Sequence, residues 1–148
     1  MKRWFLMLCV GLMAAGCMEK GESLSDNAKI AKHYLEDAGY DVVRLEQESE
    51  IQFSSYDVKS LHGEQIWAVQ TVDPEPYLQQ KIDTVKFSIQ NHPLDNVFNM
   101  GKTEATIFII NGEVIGGYSY PIAEMGVDGA PYSLDGKTAE EMERKDNK

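Results

Sequence analysis

The chain has 148 residues, with 24 Asp and Glu against 14 Lys and Arg and a formal net charge of −10. That length suits one domain with a proper core, and the acidic balance offers no basic patch for nucleic acid. Both cysteines, Cys9 and Cys17, lie in the first seventeen residues. The remainder therefore has no disulfide, thiolate nucleophile or Cys-type zinc site, and its stability must come from burial.

The first stretch reads as an export signal. Lys2 and Arg3 precede an apolar run from Trp4 to Ala15, and Ala14-Ala15-Gly16-Cys17 closes it with small residues and a cysteine. Twelve apolar residues fall short of the roughly 17 to 25 that a helix needs to cross a bilayer, but they have the layout of a secretory signal peptide. The closing four resemble the lipobox of bacterial lipoproteins, with Ala14 where Leu is commoner. That resemblance implies a diacylglyceryl group on Cys17, further acylation such as palmitate, and cleavage after Gly16. An ordinary signal peptide would share the small residues; the cysteine directly after the cleavage point selects the lipoprotein form. Two or three acyl chains anchor far more firmly than one, each buried methylene contributing about 0.8 kcal/mol. The expected organisation is a signal peptide at 1–16, an acylated tether at 17–24, one domain at 25–143 and a frayed tail at 144–148. Cleavage removes Lys2 and Arg3, leaving 132 residues with a net charge of −12. Met18 to Leu24 spans at most about 25 Å, which keeps the domain close to the membrane.

Ser25 predicts a helix N-cap, with Asp26 in the positive first turn. Ile30, Ala31, Tyr34, Leu35 and Ala38 recur at helical spacing, and Gly39 predicts a left-handed cap with Tyr40 packing back on Leu35. His33 lies off that stripe and reads as solvated. Asp41 to Glu46 reads as a strand with Val43 and Leu45 on one face. Glu46, Glu48 and Glu50 follow at period two: either a cation-binding row or a solvated edge that discourages strand addition, and the edge is the simpler reading. Ser55 to His62 reads as a short helix ended by Gly63, and Ile66 to Val72 as a strand. Asp73-Pro74-Glu75-Pro76 interrupts the chain, and Tyr77 to Lys81 connects. Thr84 to Gln90 alternates cleanly, with Val85, Phe87 and Ile89 inward and Thr84, Lys86 and Ser88 outward. The strongest hairpin signal is Thr106 to Ile110, an Asn111-Gly112 type I′ turn, and Val114 to Tyr120. Gly116-Gly117 inside the return predicts a bulge or a close backbone approach. A loop follows to Pro131, then a short strand Tyr132 to Leu134. Thr138 and Glu141 have capping-box spacing for a last helix.

One helix followed by four or five mostly antiparallel strands makes a two-layer α+β domain. No catalytic set accompanies it. Gly-Lys-Thr at 101–103 and 136–138 lacks the earlier glycine of a phosphate loop, Asn96 and Pro131 standing there instead. There is no Gly-x-Ser-x-Gly elbow, and Ser119 reads as an outward strand residue. His33, His62 and His92 have no zinc spacing, and Asp128 and Asp135 read as turn aspartates rather than calcium ligands. No metal or cofactor is implied. The densest polar constellation is Trp67, Gln70, Tyr77, Asn91 and His92 with Asp95 beyond it. Within it His92 paired with Asp95 is the one candidate general base, while Trp67, Tyr77, Asn91 and His92 are candidate binding residues. The simpler reading is a turn whose Asn and Asp side chains bond the local backbone. Tyr77, Tyr118, Tyr120 and Tyr132 offer an aromatic binding face.

Several segments carry a resemblance: Trp67-Ala68-Val69-Gln70, Asp73-Pro74, Tyr77, and Asn91-His92-Pro93-Leu94-Asp95. Asn111-Gly112-Glu113-Val114-Ile115-Gly116-Gly117 and Tyr132-Ser133-Leu134-Asp135-Gly136-Lys137-Thr138 extend it. Over about residues 28–142 the chain resembles a family of small, uncharacterised lipoproteins from Gram-positive bacilli. The resemblance implies anchoring on the outer face of the cytoplasmic membrane and brings no assigned activity. The order of elements is also similar to PepSY-like and cystatin-like domains, a fold-level analogy alone. The functional expectation is an extracytoplasmic lipoprotein that contacts an envelope protein or a wall component. An envelope hydrolase or transferase using His92 and Asp95, or a small-ligand carrier, are the alternatives.

Overall fold

The structure, a computed structural model, describes residues 23–124 and 129–146, with side chains described to residue 144. The signal segment and Cys17 lie outside the described residues, as does Asp128. No helix among the described residues is long and apolar enough to cross a membrane.

Helix α1 spans Asp26–Asp37. It starts because Ser25 Oγ accepts the Ala28 N–H at 3.0 Å. It stops at Gly39, whose φ of +91° suits a residue without Cβ. There Tyr40 N–H reaches back to Leu35 O at 3.1 Å and Gly39 N–H to Glu36 O at 2.9 Å, the paired bonds of a Schellman cap. Ala28, Ala31 and Leu35 are fully buried. The two alanines let the helix axis approach the sheet closely, and Leu35 supplies the volume.

Strands β1 (Asp41–Gln52), β2 (Lys81–Gln90), β3 (Thr103–Ile110) and β4 (Glu113–Pro121) form one sheet in that order. Every neighbouring pair is antiparallel. The molecule is an α+β domain, with α1 on one face of a four-stranded antiparallel sheet. Under α1 lies the first core cluster, where Val85, Phe87, Ile89, Ala105, Ile107 and Ile109 meet the helix. β1 is longer than its apolar residues suggest and carries irregularities after Val42 and after Leu45. The first inserts Val43 and re-phases the strand, so Val42 and Leu45 pack on the core while Val43 is exposed. The second puts Glu46 out of step with Glu48 and Glu50, so the three glutamates do not form one row. Glu46 pairs with Arg44 and Glu50 with Lys81.

The hairpin turn matches its sequence. Asn111 (φ +50°) and Gly112 (φ +81°) both take the left-handed conformation that type I′ demands. In the returning strand Phe108 pairs with Gly116 but Ile109 with Val114, so the bulge falls at Ile115.

Between β1 and β2 the sequence reading needs correction. Helix α2 spans Ser55–Val58, capped by a Ser54–Asp57 box. The segment read as a strand at 66–72 instead begins in helix α3, Leu61–Trp67. Ser60 is its N-cap, accepting the Gly63 N–H at 3.2 Å. The run Ile66 to Val69 has no period of its own, and the cap upstream of it decides the matter. Gly63 does not end a helix; it lies inside α3, where a Cβ would sit 2.0 Å from the carbonyl oxygen of Asp57. A 3₁₀ turn at Glu75–Tyr77 then leads into β2.

These helices cover half of the other sheet face. Ile66 and Trp67 pack there with Phe53, Ile82 and Phe108 into a second core cluster. Thr84 and Ser88, read as outward, are buried as well. Ser119 is fully buried too, because residue 132 pairs beyond β4: Ser119 N–H reaches Tyr132 O at 2.8 Å and Ser119 Oγ donates to Ser133 O at 2.7 Å. That contact is a single bridge rather than the short strand read at 132–134. Helix α4 (Ala139–Asp146) begins with the Thr138–Glu141 capping box and continues into the segment read as a frayed tail.

Candidate functional site

β2 ends in the turn that carries the candidate acid–base pair. Asn91 takes a φ of +63° and its Nδ2 donates to Gly39 O at 2.9 Å, tying the turn to the end of α1. His92 is 5 % exposed, its ring centroid 4.7 Å from that of Tyr40. Its Nδ1 lies 3.2 Å from the Leu94 N–H and its Nε2 3.0 Å from Leu134 O. An amide only donates and a carbonyl only accepts, so Nε2 bears the hydrogen and the ring is neutral. Burial lowers the His92 pKa below its ordinary value, opposed by the Leu134 carbonyl and the Asp95 carboxylate.

Asp95 does not bond the ring. Its Oδ2 accepts the backbone N–H of His92 at 3.0 Å, and its Oδ1 accepts the Thr103 hydroxyl at 2.8 Å. A general base needs a lone pair aimed at a substrate proton; here both ring nitrogens are committed to backbone groups. The segment 133–137 closes over the ring, and a Cβ on Gly136 would lie 3.3 Å from His92 Cε1. In that segment Asp135 is paired with Lys137. The geometry is that of a structural turn joining α1, β2, β3 and the C-terminal segment.

Trp67 and Tyr77 stand elsewhere. Their rings stack at 6.3 Å and 10° within the second cluster, whereas Asn91 and His92 belong to the α1 side. Trp67 also meets Phe53 edge-on at 5.4 Å. Its Nε1 is buried without a hydrogen-bond partner among the described residues, a cost of about 1–3 kcal/mol set against the burial of the large ring. The four candidate binding residues thus separate into two pairs. Gln70 has a different task. Its amide donates to Gly117 O at 2.9 Å and accepts the Gly117 N–H at 2.8 Å. A Cβ on Gly116 would lie 2.3 Å from Gln70 Oε1 and one on Gly117 2.2 Å from the Thr106 carbonyl oxygen, so the close backbone approach expected of the two glycines is present at Gly117, while Gln70 lies against Gly116.

Two surface features were not read from the sequence. The loop after β2 exposes Val97, Phe98 and Met100, and Phe98 borders a groove of about 340 Å³ with Tyr120, Pro121, Pro131 and Tyr132. On the second sheet face, beside the aromatic cluster, Gln47, Ser49, Thr84, Lys86, Thr106 and Tyr118 line a trough of about 210 Å³. The sequence signals for the trough were the β2 alternation, which turned Thr84 and Lys86 away from the inward residues, and Tyr118 in the aromatic set; the reading of Ser119 as outward put Tyr118 on the opposite face from them. Among the described residues no three His, Cys, Asp or Glu side chains converge as a metal site would require. No family model, curated protein or solved structure matches this chain.

Proposed function

We propose that this chain is a membrane-anchored lipoprotein whose domain works outside the cytoplasmic membrane, contacting another envelope protein or a wall component rather than running a reaction. The supporting observation is the position of the exposed loop. The chain enters α1 at the end of the sheet where Asn27 bonds Asp83. It leaves α1 at the other end, where Asn91 bonds Gly39. The helix is twelve residues long, about 18 Å. Val97, Phe98 and Met100 follow Asn91, so they lie at the end of the domain remote from the point where the chain enters α1. Contiguous exposed apolar residues are characteristic of interaction sites, and a net acidic domain resists lying down on anionic lipid.

The hydrolase or transferase reading has less support, because neither His92 nitrogen is free and Asp95 does not orient the ring. A carrier reading requires an apolar cavity between α1 and the sheet, and the buried side chains of the first cluster occupy that interface.

A photo-crosslinking residue placed at Phe98 in whole cells should yield a discrete adduct with one envelope component. Cys17→Ala should move the protein from the membrane to the soluble fraction and remove metabolic palmitate label. A Phe98 probe that labels nothing specific, or labels lipid alone, overturns the interaction reading; unchanged fractionation of Cys17→Ala overturns the anchor.

A further inference from the structure

The trough on the half of the second sheet face left open by α2 and α3 has a lining that narrows its ligand. Ser49 and Thr84 share a hydrogen bond of 2.7 Å across the first two strands. Among the described residues that line it Lys86 is the one cation, and Glu104 neutralises it at 3.4 Å. Thr106 is 5 % exposed, yet its hydroxyl has no hydrogen-bond partner among the described residues and is not sealed from solvent. It is a buried side chain with its polar group unspent. The Gln47 amide is likewise unpartnered among the described residues. Tyr118 bounds the trough with its ring fixed edge-on by Phe108 at 5.7 Å and Tyr120 at 5.6 Å.

Each simpler class of ligand meets an obstacle. An anion finds a lysine already paired, on a chain of net negative charge. A cation finds only the same paired glutamate. An apolar molecule would strip water from the Thr106 hydroxyl and Gln47 amide without replacing it. An extended peptide recognised by strand addition needs free backbone groups, but on a sheet face those groups are spent in the ladder. A sugar ring fits all of these conditions. Its hydroxyl or acetamido groups both donate and accept, matching Thr106, Gln47 and the Ser49–Thr84 pair, and its C–H face can lie on an aromatic ring.

We propose that this trough binds one ring of a neutral glycan. The proposal rests on the extracytoplasmic reading above and specifies its wall-component branch.

The test is a titration of the full chain in detergent, followed through backbone amide shifts at residues 47, 84, 106 and 118. The probes are a β-1,4-linked N-acetylglucosamine tetramer, cellotetraose, and an uncharged extended octapeptide. One of the glycans should give saturable shifts centred on the trough. Thr106→Val keeps the β-branched shape and removes the hydroxyl; Tyr118→Ala removes the aromatic wall. Each should weaken binding about tenfold or more, the scale of one lost hydrogen bond or stacked ring. Tyr34→Ala, exposed on α1 and outside the trough, should leave it unchanged. Should Tyr118→Ala fail to fold, the near-isosteric Thr106→Val still decides. No saturable shift with either glycan at millimolar concentration overturns the proposal. So does glycan binding that Thr106→Val leaves intact, or occupation of the trough by the octapeptide alone. A specific protein adduct at Phe98 without glycan binding would overturn the trough while leaving the interaction reading standing.

Discussion

His92 shows how much chemistry a residue can lose to its surroundings. Its imidazole holds Leu94 and Leu134 together and does so as the neutral tautomer, so its burial has a measurable consequence. The folded pKa is lowered, whereas an unfolded histidine titrates near about 6.5. As the pH falls below that value the unfolded chain takes up the proton more readily, so stability is lost on acidification until the folded-state pKa is passed. His92→Gln keeps an N–H for the Leu134 carbonyl and removes the titration. Urea midpoints of the wild type should therefore fall more than those of His92→Gln between about pH 7 and pH 5; parallel curves would contradict the assignment. The sequence brought His92 and Asp95 to notice because they are three apart beside a proline. Which atoms of that pair would meet depends on Thr103 and Leu134, distant in sequence, and no local spacing encodes them.

At the scale of elements, what could be read was what is local. The caps of α1 and α4, the β2 strand and the Asn111-Gly112 turn each come from one short continuous stretch of chain, and the structure has all of them. What failed involves a second segment. The segment 66–72 reads as a strand until Ser60 is recognised as the cap of a helix through Trp67, and the second face of β2 reads as outward until Ile82 is seen to pack against that helix. Gly63 makes the same distinction testable. Helix propensity favours alanine over glycine by about 1 kcal/mol, but a Cβ at Gly63 meets the Asp57 carbonyl. Overpacking usually costs about 1–3 kcal/mol, and a contact this short against backbone, which cannot step aside as a flexible side chain would, lies at or beyond the top of that range and outweighs the gain in propensity. At Gly39 a Cβ meets nothing and the cost is only that of the left-handed conformation, about 1–2 kcal/mol. Denaturant titration should rank Gly63→Ala as the less stable variant despite its better helix former. The reverse order would mean that α2 and α3 move apart freely.

Over the whole molecule, the sheet has two edges with different protection. The outer side of β4 is occupied: Gln70 takes both backbone groups of Gly117, and Tyr132 takes both of Ser119. The outer side of β1 has no strand partner among the described residues and relies on its two irregularities and on Arg44, Glu46, Glu48 and Glu50, the devices that proteins use to discourage strand addition. Gln70→Ala should cost about 1–3 kcal/mol, because a backbone N–H and C=O beside the sheet lose their partners. It should also make sedimentation concentration-dependent, since the part of β4 around Gly117 that Tyr132 does not cover then becomes available for pairing. A variant that is destabilised yet strictly monomeric at high concentration would show that Gln70 only braces α3.

Gln70 and Tyr132 thereby leave β1 as the open edge of the sheet among the described residues. With β4 closed, any association through the sheet has to use β1, and a β1-to-β1 contact consumes that edge on both partners. Such assembly ends at two, because a two-fold contact closes on itself. The Gln70 amide and the Tyr132 bridge together separate a sheet that can at most pair from one with two open ends, able to add a neighbour on either side and grow without limit.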